Sequence, residues 1–144
     1  MQSEDLAKTM DEMHLKGFYK EMVFLIDTCE ALSLFDQVTA PNVYMIATSR
    51  HDESALASDS DPALNNYLSD NFSRDFFQFL TSPIGFSRRQ DFTLAEFPHE
   101  FDFHSIKSHV SLVNTSETRE LKDVQLREFI PVSDVTMGEG IDSK

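Results

Sequence analysis

The sequence predicts an α/β fold, a mostly parallel sheet flanked by helices, and three observations carry that expectation. Two short apolar runs, MVFLI at residues 22–26 and VYMIATS at residues 43–49, bracket a segment with helical spacing; that is the pattern of a strand–helix–strand unit with buried parallel strands. Thirteen Phe, concentrated between Phe72 and Phe103, recur at intervals that suit a helix face packed on a core. With 144 residues, 40% of them hydrophobic, the chain has the length and apolar content of one packed domain.

The elements follow in order. Residues 3–20 place Leu6, Met10, Met13 and Phe18 among charges, an amphipathic helix that ends near Gly17, with Ser3 or Asp5 as its cap. The first apolar run then reads as a strand buried on both faces, and Asp27-Thr28-Cys29 stands at its carboxyl end. Residues 30–37 carry helical spacing, and Ala40-Pro41-Asn42 turns the chain into the second strand.

Residues 50–61 are small and polar, a loop at the end of that strand, where α/β sheets place ligand sites. Asp61-Pro62 reads as a helix start, and residues 63–80 as the longest helix, with Leu64, Tyr67, Leu68, Phe72, Phe76, Phe79 and Leu80 on its apolar face and Ser82-Pro83 as its stop. Residues 100–104 and 108–113 alternate as short strands do. From Asn114 the large aromatics are gone except Phe129, and residues 114–144 read as a poorly structured C-terminal tail behind a domain of residues 1–113.

Charge narrows the function classes. Twelve Lys and Arg against 25 Asp and Glu give a net charge of −13, which opposes binding to phosphate backbones and anionic lipid surfaces, so no nucleic-acid partner is expected. The only cysteine, Cys29, can form no internal disulfide and no zinc–thiolate cluster. His99, His104 and His109 recur at intervals of five, which shares neither a helix face nor a strand face, so no metal site is expected and surface histidines are the default. Asp59 and Asp61 in SDSDP read as loop and cap residues. No cofactor is implied.

Cys29 sits beyond a strand at the expected start of a helix, where unpaired N–H groups and the dipole favour a thiolate. By position alone the reading as a small buried hydrophobe is slightly the stronger. The run FLIDTCEALSLFDQVTAPNVYMIATSRHDESA resembles the strand–DTC–helix–strand segment of the catalytic subunits of GPI-anchor transamidases, within the legumain-like (C13) cysteine peptidases. DSDPALNNYLSDNFSRDFFQFL is similar to the helix that follows, and FDFHS matches more weakly. Legumain-type endopeptidases carry a different triplet before the cysteine and are the nearer alternative.

The resemblance implies a partial caspase-like domain with Cys29 as catalytic nucleophile, its N–H in an oxyanion hole, and Asp27 and Ser54 as substrate-binding residues. Ser54 belongs to a Glu-Ser pair of the family's substrate loop, although Ala55 stands where a second serine is frequent. The implied partners are proproteins with a C-terminal GPI signal, the GPI lipid and other transamidase subunits, in a complex at the endoplasmic reticulum membrane, lumenal face. The family's catalytic histidine lies tens of residues upstream of the cysteine, roughly 50 in caspases, whereas 28 residues precede Cys29 and His14 among them lacks the His-Gly turn. The expectation is therefore an N-terminally truncated fragment, inactive by itself, with a catalytically inactive interaction module as the alternative.

Overall fold

The computed structural model describes residues 2–61 and 66–130. Helix α1 (Ser3–Leu15) buries Leu6, Ala7 and Met10 and ends at Gly17, whose φ of 67° no side-chain-bearing residue adopts as easily. Phe18 N–H donates to the Met13 carbonyl and Gly17 N–H to the His14 carbonyl, closing the helix end in a Schellman motif. Ser3 does not cap α1. Its hydroxyl donates to the Leu34 carbonyl and accepts from Gln37 N–H, tying the helix start to the segment that follows the cysteine.

Strands β1 (Met22–Ile26) and β2 (Val43–Ala47) pair in parallel, Met22 opposite Val43 and Ile26 opposite Ala47. The connection is a five-residue 3₁₀ turn, Ala31–Phe35, in place of the full helix expected over residues 30–37. Strands β3 (Ala57–Asp61) and β4 (Asn66–Asp70) form a separate antiparallel pair. After helices α2 (Asn71–Thr81), α3 (Pro83–Arg89), α4 (Phe97–Glu100) and α5 (Phe103–Ile106), strand β5 (Ser111–Asn114) joins the far side of β2 antiparallel, giving the order β1-β2-β5. The α/β class is as the sequence predicts, with a mixed sheet whose direction at β5 the apolar pattern does not encode.

Three segments depart from their expected form. Residues 57–61 of the expected loop and 66–70 of the expected long helix are strands, so helix begins only at Asn71 and α1 is the longer at 13 residues against 11. Pro62 and Leu64 lie outside the described residues. Residues 100–104, expected as strand, span the α4–α5 junction because the Asp102 carboxylate caps Ser105 N–H.

Each strand feeds two cores by alternation. Val23, Leu25, Tyr44 and Ile46 face the aromatic layer, where Phe72 and Phe79 of α2, Phe97 of α4 and Phe101 just after α4 gather. Met22, Phe24, Ile26, Val43, Met45 and Ala47 face α1 and the 3₁₀ turn. All of β2 is buried, whereas β1 is half-buried, because among the described residues β2 is the central strand and β1 lies at an edge. The aromatic layer extends past β5: Val124 and Leu126 are buried in it and Phe129 and Ile130 pack against it. Arg119 fastens this stretch, its guanidinium donating to Glu21 and Glu128 and to the Asp123 carbonyl. Residues 131–144, the rest of the expected tail, lie outside the described residues.

Candidate active site

The carboxyl ends of β1 and β2 bring two loops together, residues 27–30 and 48–56. Cys29 is exposed on the first of them. The turn beneath it is built by Ser49, which is fully buried. The Ser49 hydroxyl donates to the Thr28 carbonyl at 2.7 Å and accepts from Ala31 N–H at 2.9 Å, and its carbonyl accepts from Leu32 N–H. One serine thus satisfies both sides of the bend, which leaves Glu30 in the left-handed region at φ 53°.

Asp27 is half-buried. Its carboxylate accepts from Thr48 Oγ1 at 2.7 Å and from Ser73 Oγ of α2 at 2.5 Å, joining both strand ends to the aromatic layer's first helix. Asp70, which precedes α2, is pushed above the ordinary carboxyl range by burial first and by the Asp27 charge second. Acidic character is therefore concentrated beside the cysteine turn.

The second loop lies over the first. Glu30 N–H donates to the Glu53 carbonyl at 2.8 Å, and Cys29 Sγ has the Ala55 carbonyl as its partner at 3.8 Å. The Glu53 carboxylate accepts from Arg50 N–H, from His109 N–H and from His109 Nδ1, the last at 2.7 Å. Burial pushes that carboxyl up, but the Arg50 N–H and the His109 contacts outweigh it and hold Glu53 below its ordinary value. Ser54, between them, is exposed and has no hydrogen-bond partner among the described residues.

The helix-start argument for Cys29 changes with this geometry. The N–H groups of Glu30, Ala31 and Leu32 are already taken by Glu53 and Ser49, so they offer a sulfur no open donors. The N–H of Cys29 itself donates to no group among the described residues. Among the described residues no imidazole bonds Cys29: His51 pairs with Asp36 at 3.0 Å, His109 with Glu53, and His14 lies exposed on α1 near the Tyr19 ring.

The family model for the Peptidase C13 family matches residues 1–136. The chain belongs to the Peptidase C13 family. Its α/β sheet with helices on both faces is therefore the caspase-like, legumain-like fold of that group. Among curated relatives, a protein named putative GPI-anchor transamidase of Drosophila melanogaster is 36% identical over 95 residues, 66% of this chain and 26% of that protein. The GPI-anchor transamidase of Saccharomyces cerevisiae is 29% identical over 127 residues, covering 88% of this chain and 30% of its own length. The human GPI-anchor transamidase is 33% identical over 76 residues, 53% of this chain and 19% of its own. The chain thus spans less than a third of each of these relatives, and no helix among its described residues is long and apolar enough to cross a membrane.

Of the residues singled out in the sequence, Cys29, Asp27 and Ser54 fall on the two facing loops. His109 is not an unattached surface histidine: Glu53 and the Phe103 ring, stacked at 4.9 Å, hold it. Ser49 and Thr48, read only as the end of a strand, build the floor, and Ser73 reaches it from α2. A hydroxyl at each of the last two positions of a buried run is the one local signal for the floor.

Proposed function

We propose that this chain is the nucleophile-bearing part of a GPI-anchor transamidase, the enzyme that cleaves a C-terminal GPI signal and joins the shortened protein to the GPI lipid. One observation carries the reading: the C13 family's segment here presents an exposed cysteine, with its own N–H free, on a turn fixed by a buried serine. Cys29 Sγ attacks the carbonyl carbon at the attachment site as the amide C–N bond breaks, and the signal peptide leaves as an amine carrying the proton. The amine of the lipid then attacks the thioester and returns the sulfur as thiol. The free Cys29 N–H donates to the developing oxyanion. Asp27 and Ser54 line the recognition pocket, Ser54 by its unpartnered hydroxyl.

The imidazole that relays the proton is assigned to a part of the parent enzyme beyond this chain, since no imidazole among the described residues bonds Cys29. The reading places the parent in a complex of transamidase subunits at the lumenal face of the endoplasmic reticulum membrane. The test is Cys29→Ser in the full-length parent, with attachment of a GPI-signal reporter as the readout. A fall of at least about a thousandfold is expected for loss of the nucleophile. Retained attachment would overturn the reading and favour a non-catalytic interaction module.

A further inference from the structure

Beyond Thr48 and Ser49, the second loop touches the cysteine turn through main-chain carbonyls. Glu53 O receives Glu30 N–H, and Ala55 O faces Cys29 Sγ. Main-chain contacts of this kind hold a position only if the loop is itself held, and the loop has little apolar anchorage, because Ser54 and Leu56 are exposed and Asp52 sits at φ 57° in the left-handed region. Besides the main-chain bonds from Asn71 N–H to the Leu56 carbonyl and from Glu53 N–H to the Arg50 carbonyl, one side chain holds it. The Glu53 carboxylate takes three donors, two of them from His109, 56 residues onward.

His109 is in turn fixed from three directions. Its ring stacks on Phe103 with planes 27° apart. Its neighbour Ser108, buried, donates to the Thr48 carbonyl at 2.6 Å at the end of β2. Its own N–H completes the bond to Glu53. A carboxylate only accepts, so the 2.7 Å contact assigns the proton to Nδ1.

We propose that Glu53 and His109 are a positioning pair for the Cys29 centre: the imidazole anchors the Glu53 carboxylate to the foot of β5, and the Glu53 and Ala55 carbonyls thereby fix the backbone and the direction of the sulfur. This rests on the reading of Cys29 as nucleophile for its purpose, though not for its geometry. Neither residue touches the reacting atoms. Both act through the turn that bears them.

The test uses this chain and two local readouts, hydrogen exchange at the Glu30 amide and the alkylation rate of Cys29 by iodoacetamide at a pH where the thiol is ionised. His109→Ala removes the Nδ1 donor and keeps the main-chain bond. Glu30 exchange is expected to rise about tenfold, the worth of one charge-assisted hydrogen bond, while the Phe24 and Met45 amides of the sheet exchange as before. The alkylation rate is expected to change at least about threefold with the freed loop. His109→Asn restores an N–H at that place and should return both readouts to within about twofold of the parent. Should His109→Ala fail to fold, Glu53→Gln carries the same test, since it removes the charge and keeps the shape. The proposal is overturned if Glu30 and Cys29 are unmoved, if the sheet amides speed up equally, or if Asn does not rescue. A Cys29→Ser parent that still attaches anchors would sink the functional reading and leave both local readouts as they are.

Discussion

The two faces of the central sheet are packed by different means. On one side, rings meet rings: Phe97 lies 5.3–5.8 Å from the centroids of Phe76, Phe92 and Phe101, and Phe79 touches Phe92 and Phe101. On the other, Met10 and Met45 pack among Ala7, Ala31, Ala40 and Ala47, and the edge-on rings of Phe24 and Phe35 supply the aromatic contact. Large rigid side chains bury more area per residue and interlock, so the aromatic face stores stability, and the small-residue face lets α1 and the cysteine turn approach the strands closely. The site loops belong to neither core. Buried hydroxyls and the hydrogen bonds between Glu53 and His109 hold them.

Three substitutions would break that contrast in decreasing order. Phe97→Ala, in the ring layer, should lose about 3–5 kcal/mol by denaturant unfolding, whereas Met10→Ala on the small-residue face should stay near the lower end of about 2–5, because α1 can settle onto the smaller neighbours. Equal losses would mean that the two faces store stability alike. Ser49→Ala comes next. It leaves the Thr28 carbonyl and the Ala31 N–H without partners, a cost of about 1–3 kcal/mol, and exchange at Ala31 should accelerate more than exchange in the aromatic layer.

The smallest effect is acidic. Glu53 titrates below its ordinary value in the folded chain, so its contribution to stability is complete above the unfolded value of 4.5 and is lost as pH falls through the lower folded value. Stability measured from pH 6 to pH 3 should therefore fall less steeply in Glu53→Gln than in the parent. Identical slopes would show that Arg50 and His109 do not favour the ionised carboxylate.

Much of this was legible in the chain's spelling. Both strands and the cysteine at the end of the first stand where the apolar runs put them, because a buried parallel strand must be continuously apolar. The α2 face through Phe72, Phe76 and Phe79 also follows from spacing. The β3–β4 pair did not, since ASDSD and NYLSD lack apolar alternation and the strands are defined by their pairing with each other. Residues 66–70 carried the helical period one turn too far back. The Glu53–His109 pair and the antiparallel docking of β5 are non-local, and no window of neighbouring residues encodes either. Val124 and Leu126 were missed because the core after β5 is sealed by isolated aliphatic residues in 3₁₀ turns, which show no period.

The Tyr44 phenol is buried in the aromatic layer and donates to the Glu21 carboxylate at 2.5 Å, with its ionisation pushed upward by burial and then by Glu21. That same carboxylate receives Arg119, which fastens the chain beyond β5. One carboxylate therefore clasps a core ring and the chain beyond β5 at once, so Glu21 is the single point whose loss would free both.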